Sequence, residues 1–200
     1  LREFLNSRKL RFRQEQVIAP IWDLINHDVN YFPFSIKFNG IQTPIYPKKN
    51  QELTFYYGDS SPIMRFFKYG FFSKETIIFS IPLKIQLKRS NINLICKGED
   101  IVNERSELEI INSEIIIKSL PITDIHKTPL LKIYLEDLKQ RYNIKEISNS
   151  LINQIINYNY KQRLNILKEV TQVNNHSSII LKKTIDYELD LIKDILFNLK

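Results

Sequence analysis

The residues that could do chemistry crowd into one stretch, Ile21 to Phe72. It holds Asp23-Leu24-Ile25-Asn26-His27, then, about thirty residues on, Tyr57-Gly58, then Tyr69-Gly70-Phe71. The side chains on offer are a carboxylate, an amide, an imidazole, two phenols and a phenyl ring. No Ser/His/Asp or Cys/His arrangement accompanies them. The one cysteine, Cys96, excludes an internal disulfide framework and a Cys-based zinc cluster. No metal site is expected.

Each of these residues also has a plainer use. A histidine such as His27 commonly serves as a hydrogen-bonded structural group, and His126 and His176 read as loop or cap residues. Tyr57 and Tyr69 taken singly are aromatics that pack a sheet. Trp22 reads as core, and Cys96, in the apolar Asn93-Leu94-Ile95-Cys96, as a small buried hydrophobe.

The elements that must position the stretch follow from local pattern. Residues 1–18 read as the end of a helix, with Phe4, Leu5, Leu10, Phe12 and Val17 among polar residues and no start signal, as in a chain that opens inside a larger domain. Pro20 ends it. Ile21 to Ile25 reads as a buried strand. Tyr31 to Phe38 is a second strand, Asn39-Gly40 a hairpin turn, and Thr43 to Tyr46 the return. Pro47 to Glu52 is a turn. Leu53 to Gly58 is an aromatic strand closed by glycine. Ser61 and Pro62 suit the cap and first position of a short helix running from Ile63 to Lys68.

Beyond Thr76 the texture is β-like: Ile77-Ile78-Phe79, Leu83 to Leu87, Ile92 to Ile95 and Ile115 to Ile117, with a solvated acidic patch from Glu99 to Glu114. From Thr128 the pattern is helical. Thr128-Pro129 suits one start, Ser148 or Ser150 a second and Ser177 a third. Leu131, Tyr134, Leu135, Leu138 and Tyr142, then Leu151, Ile152, Ile155, Ile156, Leu164, Leu167 and Val170, then Leu181, Ile185, Leu189, Ile192, Leu196 and Leu199 follow spacings of three and four, so three helices can bury their stripes against one another.

The 200 residues are 43% hydrophobic and 26% charged, with 4 Gly and 8 Pro, which suits one large domain or two small ones and argues against disorder. The formal charge of +7 comes from lysines and arginines scattered singly among acids. That is a solvated basic surface, with no arginine-rich tract and no nucleic-acid motif. No run approaches the ~18 apolar residues that span a bilayer. The single thiol fits an intracellular, reducing compartment: cytoplasm, nucleus or an organelle.

Order and spacing together resemble a known family. Asp23-Leu24-Ile25-Asn26-His27 is similar to the D-L-x-N-H-S motif in the C-terminal half of a SET domain. Asn50-Gln51-Glu52-Leu53-Thr54-Phe55-Tyr56-Tyr57-Gly58-Asp59-Ser60-Ser61, followed by Tyr69-Gly70-Phe71, is similar to G-E-x-[VL]-x-x-x-Y-G-x-x-S-N-x-E-L-L-x-x-Y-G-F. The subgroup it resembles is the Rubisco large-subunit lysine methyltransferase type, whose substrate-binding domain is helical. Three departures stand out: Asp28 in place of Ser; Pro62, Met64 and Arg65 in place of Asn, Glu and Leu; and no counterpart here to the family's Gly-rich N-terminal half.

The resemblance implies an α+β chain: residues 1–74 as the C-terminal half of a β-rich SET fold, and 75–200 as a mainly helical substrate-binding domain, with a β link over 75–127 and helices over 128–200. It implies S-adenosylmethionine as cofactor, held near its adenine by Asn26 and His27. Tyr57 would be the cofactor-contacting and catalytic tyrosine beside the transferring methyl group. Tyr69 and Phe71 would line the channel for the substrate side chain. The segment around Tyr57 would pass through a loop made by the earlier segment, which brings the two motifs together. The acceptor amine must be neutral to attack, and an apolar aromatic channel favours that form and tolerates the methylated cation. The function it implies first is a protein-lysine N-methyltransferase acting on a non-histone protein; the alternative is a catalytically inactive SET-like subunit that docks onto a larger protein assembly.

Overall fold

A computed structural model describes residues 9–12, 15–18, 25–28, 30, 35–37, 40–42, 49–50, 52–87, 92–98, 108–145 and 147–198. The chain is α+β, as expected, and divides into two units, residues 1–58 and 59–200.

The first unit is made of short strand pairs. β1 (Lys9–Phe12) and β2 (Glu15–Ile18) form an antiparallel hairpin with Leu10 opposite Val17 and Phe12 opposite Glu15. Over residues 9–12 and 15–18 this corrects the helix expected over 1–18. Leu10 and Phe12 are two residues apart, the strand period, and Val17-Ile18 is β-branched. Residues 1–8 lie outside the described residues, as do Trp22, Asp23 and Leu24 of the expected first strand. β3 is only Asn26–His27. β4 (Ser35–Lys37) and β5 (Gly40–Gln42) form the expected hairpin, but Lys37 stands opposite Gly40. The return strand therefore begins at Gly40, ahead of the expected 43–46, which lies outside the described residues, as does Asn39. β6 (Thr54–Phe55) pairs in parallel with β3.

The second unit begins with α1 (Pro62–Tyr69). Pro62 takes the first helical position and Ser61 the cap position, with no side-chain cap bond. Gly70 ends the helix in the left-handed region (φ 78°), its N–H donating to Phe66 O at 2.7 Å. The glycine of Tyr69-Gly70-Phe71 thus has a structural duty of its own.

β7 (Ile77–Phe79), β8 (Leu83–Leu87) and β9 (Ile92–Cys96) lie where strands were expected. Two more strands emerge: β10 (Leu108–Ile111), within the acidic patch, and β12 (Pro121–Asp124). β11 is Glu114–Ile117. The sheet order is β10-β11-β9-β8, with β9 and β11 parallel and the other pairs antiparallel; β12 pairs with β7. The two-residue β10–β11 turn puts Asn112 (φ 45°) and Ser113 (φ 66°) in the left-handed region, the backbone such hairpins need. The rest of the acidic patch, residues 99–107, lies outside the described residues.

Three helices complete the unit: α2 (Leu130–Tyr142), α3 (Asn149–Val170) and α4 (His176–Asn198). Ser148 caps α3 as expected, accepting from Leu151 N–H. Pro129, not Thr128, takes the cap position of α2. At α4 the cap falls to Asn175, not Ser177. Asn175 Oδ1 accepts from Ser178 N–H at 2.8 Å and Ser178 Oγ accepts from Asn175 N–H at 3.0 Å, a reciprocal cap that ends the turn between the helices.

The helical stripes and the strands share one core. Leu131, Leu135, Ile152, Ile155, Ile156 and Ile192 pack with Ile78, Leu94, Ile117 and Ile122, all at most 2% exposed. A second cluster joins Ile63 of α1 to Leu181, Ile185 and Leu189 of α4. The boundary expected at 74/75 differs from that between the units by the length of α1 and its tail, which pack with α4.

A polar network runs through this interior. Arg163 and Glu188, on α3 and α4, are both fully buried and pair at 2.5 Å through Arg163 Nε. The guanidinium also donates to Phe79 O (2.9 Å) and Asn159 Oδ1 (2.8 Å). Asn159 Oδ1 accepts from Ile81 N–H as well, and Asn159 Nδ2 donates to Ser80 Oγ. The other Glu188 oxygen accepts from Ile63 N–H at 2.7 Å, so a residue of α4 caps the start of α1. A second buried pair, Arg65 with Glu75 at 2.9 Å, ties α1 to its own tail, and Ser73 Oγ donates to Glu75 at 2.6 Å. Burial, and then the charges of Glu188 and Glu75, push the Tyr187 phenol up. Burial likewise pushes the Cys96 thiol up, in keeping with its place in the core.

Removing one member of a buried pair leaves the other charge unpaired. Arg163→Met is expected to lower stability by about 3–5 kcal/mol, and Arg163→Met with Glu188→Met to recover part of that loss, both read from urea titration followed by circular dichroism. Ahead of α2, Asp124 accepts from His126 N–H and Thr128 N–H, each at 2.9 Å. Burial raises the Asp124 carboxyl, but the bonds from Thr128 and His126 and the His126 charge outweigh it, and the net shift is downward. A carboxyl lower in the folded than in the unfolded chain stabilises fully above the unfolded value of about 3.9 and loses that contribution as pH falls through the folded value. Asp124→Asn should therefore flatten the fall in melting temperature below about pH 4; an unchanged acid profile would count against this role.

Candidate functional site

Parallel pairing of β3 with β6 builds the site in the first unit. It sets Asn26 opposite Thr54 and His27 opposite Phe55, so two segments about thirty residues apart in the chain run side by side. Both strands are only two residues long, and side-chain bonds extend the pairing beyond them. Tyr57 N–H donates to His27 Nδ1 at 3.1 Å. The Tyr57 hydroxyl donates to the carbonyl of Ile25, a residue 7% exposed. The His27 ring lies 5.1 Å from the Tyr57 ring and 5.5 Å from the Tyr56 ring, tilted to both. His27 accepts at Nδ1, so a neutral ring carries its proton on Nε2.

Beside this cluster Asn26 Nδ2 donates to Glu52 Oε1 at 2.6 Å, on the exposed side. Across from Asn26, the Thr54 hydroxyl is buried and has no hydrogen-bond partner among the described residues. Most buried hydroxyls are satisfied, so this one is available to a ligand or another segment that brings a partner.

Tyr69 and Phe71 belong to the second unit. There their rings are 6.0 Å apart and both are half-buried. The Arg65 guanidinium and the Lys68 ammonium lie 5.6 and 5.4 Å from the Tyr69 ring centre, so that ring already carries cations. Phe72 meets the Tyr187 ring edge-on at 5.7 Å, with the Lys183 ammonium 4.7 Å from the Phe72 ring centre. The structure thus brings Asn26, His27 and Tyr57 together in one unit, and Tyr69 and Phe71 together in the other.

Ile25, Glu52 and Thr54 are neighbours of the candidate residues that sequence reasoning did not single out. Glu52 stood inside a quoted motif but read as the end of a turn. Ile25 contributes a carbonyl, which its side-chain type cannot signal, and the place of Thr54 depends on strand register. His126 and His176 are exposed at a loop and at the first residue of α4. Among the described residues no three His, Cys, Asp or Glu are grouped to hold a metal, and no helix is long and apolar enough to cross a membrane.

No known protein family matches the chain, and no curated protein or solved structure matches it either.

An unpartnered buried hydroxyl gives up its hydration for nothing. Thr54→Val is therefore expected to leave the stability of the unbound protein unchanged or raise it by about 1 kcal/mol; a clear loss in a thermal melt would mean that the hydroxyl is bonded.

Proposed function

We propose that the chain is part of a protein N-methyltransferase of the SET type, with S-adenosylmethionine as cofactor and a lysine of a non-histone protein as acceptor. The observation that supports this reading is the parallel β3–β6 pairing, which sets Asn26 and His27 beside the segment leading to Tyr57. The family resemblance requires that juxtaposition, and neither motif implies it alone. The donor set fits the cofactor's adenosyl part: an amide at Asn26, a buried hydroxyl at Thr54 with a bond to spare, and the rings of His27, Tyr56 and Tyr57. When bound, S-adenosylmethionine would supply an activated methyl group.

The chain's own residues would do the rest by position. Asn26 would hold the base. His27, through its bond to the Tyr57 backbone, would set the height of the tyrosine. The Ile25 carbonyl would turn the Tyr57 hydroxyl, whose oxygen would face the reacting centre with its lone pairs. Tyr69 and Phe71 would form an apolar wall that keeps the acceptor amine neutral. Such an enzyme would work in a reducing compartment, where the Cys96 thiol persists.

One observation favours the second reading, a non-catalytic subunit docked in a larger assembly. Arg65, which stands where the family has an apolar residue, is consumed in a buried pair with Glu75, so this part of the motif serves packing. The two readings separate in solution. Calorimetry should show the full-length protein binding S-adenosylmethionine. Tyr57→Phe, which keeps the ring, should cut transfer of labelled methyl to extract proteins by at least about a hundredfold. Absence of cofactor binding would overturn the enzyme reading and favour the subunit.

A further inference from the structure

A carboxylate accepts hydrogen bonds and cannot donate them, whereas a primary amide has one end of each kind. The 2.6 Å bond from Asn26 Nδ2 to Glu52 Oε1 therefore fixes which way the amide faces: its NH2 is turned to Glu52 and Oδ1 is left as the acceptor. Among the described residues Oδ1 has no other partner. The bond is charge-assisted, the stronger kind, and it joins residues 26 apart in sequence across the β3–β6 pair. An unrestrained asparagine turns its amide to suit either a donor or an acceptor on the ligand; this one is committed.

We propose that Glu52 is a specificity-determining residue: by holding Asn26 with Oδ1 outward it selects a base edge that carries an amine donor, as adenine does, over one that carries a carbonyl there, as hypoxanthine does. The inference rests on the cofactor site proposed above and adds to it a reason for choosing among purines. A carbonyl facing Oδ1 meets like with like, and the committed amide cannot rotate without losing its bond to Glu52. Unfavourable pairing of this sort discriminates better than an added attraction, because the wrong ligand leaves polar groups unmatched. Glutamine at position 52 offers both a donor and an acceptor, so it would let the Asn26 amide turn.

The test compares S-adenosylhomocysteine with S-inosylhomocysteine, which differ in the exocyclic group at position 6 and in the proton that the oxo form carries on the adjacent ring nitrogen, by calorimetric titration of the full-length protein. The wild type is expected to prefer the adenosyl compound by about tenfold or more, the worth of one hydrogen bond. Glu52→Gln should bring the two affinities within about threefold, chiefly by improving the inosyl compound. Glu52→Leu, which frees the amide without offering it a partner, should also erode the preference. Both side chains are exposed, so these variants should keep the fold, and far-UV circular dichroism checks that they do. A preference that survives both substitutions overturns the role of Glu52 and leaves the cofactor site standing. A wild type that binds neither compound overturns the cofactor site and this inference together.

Discussion

The second unit depends on one buried cation. Arg163 cannot shed its charge, so once folding takes it from water every donor must find an acceptor. The chain meets that demand from three places: Glu188 on α4, Asn159 one turn back on α3, and the carbonyl of Phe79 at the end of β7, with Asn159 itself held by Ser80 and Ile81. These three acceptors come from separate elements, so satisfying the guanidinium fixes how α3, α4 and the strands meet. Glu188 carries the constraint one step further by capping α1 at Ile63. The apolar core around Ile78, Leu135, Ile155 and Ile192 supplies the attraction. The polar network restricts which arrangement of that core is acceptable, because any other strands a buried charge.

The first unit works on a smaller scale and by different means. Its strands are two to four residues long, too short for ladders alone to specify register. Side-chain bonds supply the rest: Tyr57 to His27 and Ile25, Asn26 to Glu52. The groups with a proposed chemical role are thus also the groups that hold the pairing together. A methyl-transfer site needs this coupling, since its contribution to rate is alignment, and alignment is lost with the contacts that set it.

Local signals were legible where physics acts locally. Pro62 at the first turn of α1 was readable because its ring fixes the backbone there. Ser148 was readable as a cap, and the stripes of α2, α3 and α4 were readable because an amphipathic helix must repeat near 3.6 residues. The hairpin at 37–40 was readable, but its register was off because glycine suits either the turn or the strand that follows. The β1–β2 hairpin was misread as helix: sparse apolar residues in a charged segment fit both periods, and the choice depended on pairing. β10 was hidden because Glu109 lies on a strand that is largely in solvent, where an acid is no obstacle. The buried ion pairs left no local mark, since nothing in the neighbours of Arg65, Arg163 or Glu188 distinguishes them from surface charges.

By itself the sequence determined the α+β class, the helical second half, the ends of several elements and the identity of the residues with chemical potential: Asn26, His27, Tyr57, Tyr69 and Phe71. These follow from propensity, periodicity and residue type, which a linear chain displays. Only the tertiary structure decided that Asn26 and His27 lie beside the segment leading to Tyr57, that the Asn26 amide bonds Glu52, that the Thr54 hydroxyl is buried without a partner among the described residues, and that Arg163 is interior. Each of those depends on which distant segments meet. Strand register and the burial of a charge are settled by the balance of all contacts at once, and no single stretch of chain contains that information.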